Sequence, residues 1–351
     1  MTCSRRSWIL GLGLAVMGAV ASIVPGHAQP AQKPLDKVIL RINFTPWGMH
    51  APYFYGLAKG FYREEGIDLE IRPPSTGQQN EGFIASGREQ FGVTNADAFT
   101  RAKGSGLPIV AIMAEQPDTP FSVASHKADN ITDPSQLKGK KISWFHQNVK
   151  SLILPLLKSG NLTLDDIQFI TIAPGTETQM LAARQTDVMW AMIHGQPLTM
   201  EMRGFPMNVM ALKDYGVKFY GVLIYTNENL IKTNPDLVQR FVKATTRAIM
   251  AAMDAPEAAV AEVIKVSPDR NQDLETVKLK IIQNQFYKSP DFAERFGKMN
   301  DEKWQSTIDY LKEGGDLSQP IKPSDMYTNQ FVDGAKETAD LAKKIKASGS
   351  Q

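Results

Sequence analysis

Tryptophan and histidine side chains lie at or near the ends of predicted strands. The chain has five residues of each type, and six of these ten residues lie close to such an end: Trp47, His50, Trp144, His146, Trp190 and His194. An indole ring stacks on flat ligands, and an imidazole offers a donor or an acceptor at the edge of a ring. The pattern therefore predicts a site for a small aromatic solute, stacked between Trp47 and Trp144. The alternative is that these tryptophans belong to the hydrophobic core or to its rim and do not contact a ligand.

Five more residues in the same kind of position complete the predicted ligand-binding set: Asn43, Asn95, Asp97, Glu115 and Tyr225. Ligands of open parallel sheets bind beyond the carboxyl ends of the strands, which is where these residues fall. Glu115 and Asp97 can bind a cationic or amine-bearing ring. They can equally cap helices or pair with nearby arginines.

Catalytic and metal-binding patterns are missing from the sequence. His50, His146 and His194 could be metal ligands, but they share no metal-site spacing such as HExxH. The single cysteine, Cys3, lies near the N-terminus, which excludes a disulfide framework and a cysteine-rich metal motif in the rest of the chain. We find no GxSxG, P-loop or dinucleotide fingerprint. We therefore expect no catalytic residue, no metal and no cofactor.

The elements that position these residues alternate between β-like and helical runs. In the first series, strands are predicted at 38–43, 69–72, 91–95 and 107–115, with helices at 53–64, 78–86 and 96–105. In the second series, strands are predicted at 121–125, 140–144, 168–172, 188–193 and 219–225, with helices at 149–159 and 177–184 and a capped turn at 133–139. Such alternation predicts parallel βαβ units.

The C-terminal third reads as helix. Predicted helices cover residues 235–253, 258–266, 274–286, 301–313 and 326–345, the first with Asn234 as its N-cap and Pro235 at its first position. The extended runs 121–125 and 219–225 read as two crossings between lobes. We therefore predict an α/β chain whose first lobe comprises 37–120 and 226–345, including the C-terminal helices, and whose second lobe comprises 121–225.

Residues 1–28 resemble an export signal. Arg5 and Arg6 precede an apolar run from residue 9 to 24, and small residues flank a cleavage point after Ala28. The paired arginines also fit a twin-arginine signal, and a membrane anchor is the alternative reading. We therefore expect a periplasmic protein.

Without these two arginines the chain has 37 basic and 37 acidic residues, a balance that argues against a nucleic-acid partner. We expect a monomer.

Several phrases resemble a known family. They read NFTPWGMHAPY at 43–53, GLAKGFYREEGIDL at 56–69, FGV at 91–93, LKGKKI at 137–142 and NPDLV at 234–238. Together they resemble the periplasmic binding proteins of ABC importers for thiamine-pyrimidine precursors, sulfonates, nitrate and taurine. The match runs from about residue 38 to about residue 265, and neither of its longer phrases specifies a ligand.

The resemblance implies a type II periplasmic-binding-protein fold, with mixed, mostly parallel sheets and a solute held between two lobes. It also implies a membrane permease and its ATPase as partners. Because the strand-end loops are aromatic and poor in basic residues, a thiamine-pyrimidine precursor is the first candidate solute. An anion of the sulfonate, nitrate or taurine type is the alternative. The same family includes pyrimidine-synthesising enzymes that consume a histidine of their own and use a cysteine-rich motif, which this chain lacks.

Overall fold

The computed structural model describes residues 34–75, 80–144, 149–173 and 175–348. The export signal predicted at 1–28 lies outside these ranges. The strands are β1 Asp36–Arg41, β2 Ile67–Arg72, β3 Phe91–Asn95, β4 Ile109–Ala114, β5 Phe121–His126, β6 Lys141–Trp144, β7 Gln168–Thr171, β8 Val188–Met192, β9 Met207–Ala211 and β10 Val222–Asn227.

Helices of very different lengths connect and cover the strands. The α-helices are α1 Ala51–Ala58, α2 Phe61–Glu64, α3 Asn80–Ala85, α4 Ala96–Gly104, α5 Val149–Ser159, α6 Glu177–Ala182, α7 Gln196–Met202, α8 Glu228–Thr233, α9 Pro235–Asp254, α10 Pro256–Val266, α11 Gln272–Ile282, α12 Asp301–Glu313, α13 Gln330–Gly334 and α14 Lys336–Ser348. Two shorter elements matter below, a 3-10 turn at Gly48–His50 and a π-helix at Gln283–Tyr287.

The strands form two mixed sheets of five. The first sheet has the order β2-β1-β3-β10-β4 and the second the order β7-β6-β8-β5-β9. β1 is parallel to β2 and β3, and β6 is parallel to β7 and β8, whereas every antiparallel pair involves β5 or β10. This arrangement confirms the predicted α/β class with two lobes.

The chain passes twice between the sheets. Residues 115–120 lead from β4 in the first sheet to β5 in the second, and the chain returns to the first sheet with β10. Strand β10 runs antiparallel to its neighbours β3 and β4, and strand β5 runs antiparallel to its neighbours β8 and β9. The lobe limits given above (37–120 with 226–345, and 121–225) stay a prediction.

Three predicted elements differ from the structure. The helix predicted at 53–64 is broken into α1 and α2 by Gly60, whose φ of 78° lies in the left-handed region that favours glycine. The helix predicted at 326–345 is broken into α13 and α14 by Ala335, which is extended. The strand predicted at 219–225 begins only at Val222. The prediction also missed β9, α7 and α8, which are short and lack a clear hydrophobic period.

Helix α9 packs against the first sheet and against α1. Asn234 caps it as predicted, accepting a hydrogen bond from the Leu237 N–H at 3.2 Å. Its buried Phe241 stacks on Phe91 of β3 with 3.8 Å between ring centres. Burying one such phenyl ring contributes about 2–3 kcal/mol. α9 also packs against α1, and it thereby fixes the helix that follows the first strand-end loop.

The C-terminal segment covers an edge of the first sheet. The Ala111 N–H of the edge strand β4 donates to the Met326 carbonyl at 2.9 Å, and the Thr328 N–H donates to the Ala111 carbonyl at 3.0 Å. The segment Met326–Thr328 therefore pairs with the outer strand of the first sheet. No helix in the described ranges has the length and apolar character that a membrane span needs.

Candidate functional site

The loop after β1 buries two of the predicted ligand-binding residues. Trp47 is extended and precedes the 3-10 turn Gly48–His50, which leads directly into α1. The His50 ring is fully buried, and its Nε2 lies 2.9 Å from Oδ1 of Asn43. Trp47 is 7% exposed and meets the His50 ring edge-on, with 6.2 Å between centres. The loop after β1 thus places Asn43 and Trp47 in contact with His50.

His194 meets this loop from the second sheet. It follows β8 and is fully buried. Its ring centre lies 5.4 Å from that of Trp47, with 40° between the planes. Gln116, on the first crossing between the sheets, places its Nε2 3.4 Å from Nε2 of His194 and 3.7 Å from Sδ of Met49. Loops of both sheets therefore meet around Trp47 and His194.

The C-terminal helices form a third side of this cluster. Phe286, in the π-helix after α11, contacts the His194 ring edge-on with 5.6 Å between centres. Nζ of Lys278 on α11 lies 5.7 Å from the centre of the Trp47 ring. Glu275, one turn earlier, accepts the Gly48 N–H at 2.8 Å. We call the set Trp47, His50, Gln116, His194 and Phe286 the aromatic cluster.

Hydrogen-bonding atoms of the aromatic cluster are buried without partners. Within the described part of the chain, Nδ1 of His50, Oε1 of Gln116 and Nδ1 of His194 make no hydrogen bond. The Tyr53 hydroxyl, which neighbours the Glu115 carboxyl, also makes no hydrogen bond of good geometry. An unpartnered buried polar atom costs about 1–3 kcal/mol, so a group of them in one place marks a candidate binding site.

Burial also sets the charge of the cluster. It lowers the pKa of His50 to about 3, with the positive charge of Arg270 acting in the same direction. It lowers the pKa of His194 to about 3, with Lys278 acting likewise. Both imidazoles are therefore neutral at neutral pH, and each offers one donor and one acceptor.

Glu115 is the acidic group beside the cluster. It is 2% exposed, and burial raises its pKa to about 7, against the lowering effect of the Tyr53 hydroxyl. Among the side chains that the structure describes, no cation forms an ion pair with it. Near neutral pH this carboxyl can therefore exchange a proton, and it can act as a donor or as an acceptor.

Trp144 and Trp190 lie within the second sheet's own packing. Trp144 stacks on Phe169 of β7 with 4.2 Å between ring centres, and its Nε1 donates to the Thr171 hydroxyl at 3.2 Å. Trp190 on β8 packs against Phe121, at 5.1 Å. Trp47 thus has His194 as its neighbour from the second sheet. The predicted residue His146 lies outside the described residues.

The remaining predicted residues are held in the first sheet and in α4. Tyr225 on β10 packs over Gly92 and meets Phe99 edge-on at 5.6 Å. A Cβ at position 92 would lie 2.4 Å from the Tyr225 ring, so glycine is required there. Asp97 pairs with Arg101, as the alternative reading of this residue anticipated. Asn95 precedes α4 without capping it, and its buried Oδ1 makes no hydrogen bond among the described residues.

A metal site finds no support in the arrangement. In residues 34–348, apart from the gaps given above, no group of three His, Cys, Asp or Glu side chains converges in a way that could hold a metal ion. His50 and His194 instead face aromatic rings.

The sequence also matches a described family. The model of the family "NMT1/THI5 like" covers residues 47–259, which is more than half of the chain. This chain belongs to the NMT1/THI5-like family. The matched segment includes Trp47, His50, Gln116 and His194, while the α11 and π-helix residues of the third side lie beyond it.

Curated relatives of this NMT1/THI5-like chain carry two kinds of name. The riboflavin-binding protein RibY of Chloroflexus aurantiacus is 24% identical over 88% of this chain and 89% of its own length. The 4-amino-5-hydroxymethyl-2-methylpyrimidine phosphate synthase THI5 of Saccharomyces cerevisiae is 27% identical over 68% of this chain and 74% of its own length. One relative is thus named for binding and the other for synthesis.

Solved structures share the fold. The periplasmic aliphatic sulphonate binding protein SsuA of Escherichia coli superposes with a TM-score of 0.67 at 14% identity, covering 84% of this chain and 92% of that one. The alkanesulfonate-binding protein SsuA of Xanthomonas axonopodis pv. citri gives a TM-score of 0.63 at 11% identity, covering 85% and 99%. This NMT1/THI5-like chain therefore has the two-lobed fold of ABC-importer substrate-binding proteins.

The sequence reasoning missed several residues around the cluster. Tyr53 follows His50 by three positions, and this helical spacing was a usable signal. The C-terminal residues gave no comparable signal, because they lie on helices rather than at strand ends. These residues are Glu275, Lys278, Phe286 and Tyr287.

Proposed function

We propose that this protein is the solute-binding component of an ABC importer, and that it captures a small aromatic or heterocyclic solute between its two lobes. The aromatic cluster carries this proposal. It lies where loops of the two sheets meet, and its unpartnered atoms are buried beside flat rings. A heterocycle satisfies both features, because its faces stack and its ring edge donates and accepts hydrogen bonds.

A thiamine-pyrimidine precursor is the first candidate for the solute. An aminopyrimidine has an edge of N–H donors and ring-nitrogen acceptors, which complements Glu115 and the neutral imidazoles of His50 and His194. The name of the relative RibY points to riboflavin as a second heterocycle. Both compounds belong to the proposed class, and a direct comparison decides between them.

An anionic solute of the sulfonate or nitrate type fits the charges less well. Lys278 and Arg270, whose charges act on His194 and His50, both contact the carboxylate of Glu275, at 2.8 Å and 3.5 Å. His50 and His194 are neutral, and Glu115 adds an acid. Both cations already have a carboxylate partner, so a sulfonate would meet at most one net positive charge here, beside the buried acid Glu115.

A synthase of the kind that THI5 is named for is the alternative function. The enzymes recognised by resemblance use a cysteine-rich motif, whereas this chain has Cys3 as its single cysteine. Binding without turnover is therefore the reading that we favour. Release of a new pyrimidine product by the purified protein would favour the alternative.

The proposal includes export and delivery. A cleaved signal at 1–28 would place the protein in the periplasm, by the general or by the twin-arginine route. The permease and its ATPase would then accept the solute from the closed protein. Loss of solute uptake in a strain that lacks this chain, with uptake restored by the wild-type gene, tests this delivery role.

A four-compound titration tests the binding role. Native mass spectrometry of freshly purified protein, followed by calorimetry, compares the aminopyrimidine alcohol, riboflavin, an aliphatic sulfonate and nitrate. We expect one of the two heterocycles to bind with a Kd in the micromolar range or below, and the two anions to bind at least about a hundredfold more weakly. Tighter binding of either anion would overturn the proposed solute class.

A further inference from the structure

A buried carboxylate on α11 holds the loop that carries Trp47. Oε2 of Glu275 accepts the Gly48 N–H at 2.8 Å, although the two residues are 227 positions apart. Arg270, just before α11, donates to the Thr45 hydroxyl at 2.8 Å and so contacts the same loop. The C-terminal region thus fixes the backbone immediately beside Trp47.

The charges around Glu275 make it a rigid acceptor. Its side chain is 2% exposed, and its other oxygen, Oε1, accepts from Nζ of Lys278 at 2.8 Å and lies 3.5 Å from Nη1 of Arg270. Two cations therefore more than compensate the single negative charge of this buried carboxylate, and their contacts fix its rotamer. A charged acceptor forms stronger hydrogen bonds to a backbone N–H than a neutral acceptor does.

The loop has little freedom to adopt another position. A Cβ on Gly48 would lie 2.4 Å from the Glu275 carbonyl oxygen, so the loop backbone lies directly against α11. Sδ of Met49, the next residue, accepts from Gln116. Trp47 is therefore held between a backbone anchored on α11 and the ring of His194.

We infer that Glu275 is a positioning residue for the binding cleft, and that it sets the orientation of Trp47 toward His194. The inference deepens the proposed function, since the ring it orients is a proposed ligand contact. It also assigns a role in binding to a segment outside the family match at 47–259. The position of the Trp47 ring can be measured without any ligand, so this inference and the proposed function can fail separately.

The test is fluorine NMR on protein labelled with 5-fluorotryptophan. A Trp47→Phe variant assigns the Trp47 resonance by its disappearance. We expect Glu275→Ala to shift and broaden this resonance, while the resonances of Trp144, Trp190 and Trp304 stay in place. Glu275→Gln retains an oxygen acceptor for the Gly48 N–H, and we expect it to leave the Trp47 resonance close to its wild-type position.

A matched control removes a different carboxylate that contacts the same helix. Glu257 on α10 pairs with Lys280 of α11, and both side chains are about half exposed or more. We expect Glu257→Ala to leave the Trp47 resonance unchanged. The inference is overturned if Glu275→Ala leaves that resonance unchanged, or if Glu257→Ala disturbs it equally.

Two further measurements keep the test decisive. If Glu275→Ala does not fold, amide exchange in the wild type decides: Gly48 should exchange at least about tenfold more slowly than the exposed Phe44, and equal rates would overturn the inference. With riboflavin and the aminopyrimidine alcohol as probes, Glu275→Ala should raise the Kd at least about tenfold, and Glu257→Ala less than about twofold. If the wild type binds neither probe, the proposed solute class fails while the NMR result stands.

Discussion

The indole of Trp47 and the imidazole of His194 lie 5.4 Å apart between ring centres, and they come from loops of different sheets. Both side chains are almost fully buried. The two lobes are thus in contact at the point where we propose that the solute binds. This contact must open for a solute to enter and close again around it.

Replacement of Trp47 tests its stacking role. We expect Trp47→Leu to weaken binding of the tighter heterocycle by about 2 kcal/mol, or roughly thirtyfold, because an aliphatic side chain loses the stacking energy. Calorimetry measures the Kd. The control is Trp304→Phe, in α12, where the ring packs against Phe99 and Tyr220. An equal loss in both variants would contradict a specific role for Trp47.

Glu115 makes the stability of the protein depend on pH. Its pKa is raised by burial from an ordinary value of 4.5 to about 7, so the folded state binds the proton more tightly than the unfolded state. The free energy of unfolding should therefore fall as the pH rises from about 4.5 to about 7, by up to about 3 kcal/mol.

Denaturant titrations at several pH values measure this effect. Glu115→Gln should remove most of that slope and should be more stable than the wild type at pH 8. Glu294→Gln, a change of an exposed glutamate, is the matched control and should follow the wild type. A Glu115→Gln variant that follows the wild-type profile would show that this carboxyl is not the cause.

The buried histidines act in the opposite direction at lower pH. Burial lowers the pKa of His50 and His194 from 6.5 to about 3, so the unfolded state binds their protons more tightly. Stability should therefore be lost as the pH falls from about 6.5 toward about 3, by as much as about 4 kcal/mol per histidine. His194→Gln should flatten this loss in melting curves. A variant as acid-sensitive as the wild type would speak against the burial effect.

Gly48 and Gly82 form a matched pair of substitutions. Gly48→Ala places a Cβ 2.4 Å from the Glu275 carbonyl oxygen, whereas a Cβ at Gly82 in α3 meets no atom within 4 Å. We expect Gly48→Ala to lower the free energy of unfolding by about 2–3 kcal/mol through overpacking. Gly82→Ala should raise it by about 0.5–1 kcal/mol through helix propensity. Urea unfolding measures both changes, and equal effects would contradict the close contact at Gly48.

Local sequence patterns predicted the scaffold well where cap and period agree. The bounds of β3, α5 and α12 were predicted as they are found. Long helical patterns were harder to place, because Gly60 breaks one and an extended Ala335 breaks another. The helical spacing of apolar residues does not reveal such a break, because it continues on both sides of the break.

The strand-end rule found part of the aromatic cluster. It selected Trp47, His50 and His194, which meet because their strands end at the same edge of the fold. It also selected Trp144 and Tyr225, whose rings pack within their own lobes. Successive side chains of a strand point to opposite faces of the sheet, so lying at a strand end does not by itself place a side chain in the cleft. Glu275 and Phe286 reach the cluster from distant helices, and a tertiary contact of that kind has no local signature.

The backbone pairing between Ala111 and Met326–Thr328 shows that the first sheet is completed by residues that the family match does not include. The family match ends at residue 259, whereas the chain that covers the outer strand β4 begins far beyond it. A recombinant fragment cut at the limits of the family match would expose the N–H and C=O groups of β4 to other molecules. We expect such a fragment to self-associate through strand addition. In the whole chain, the C-terminal segment covers this edge strand and should thereby prevent aggregation.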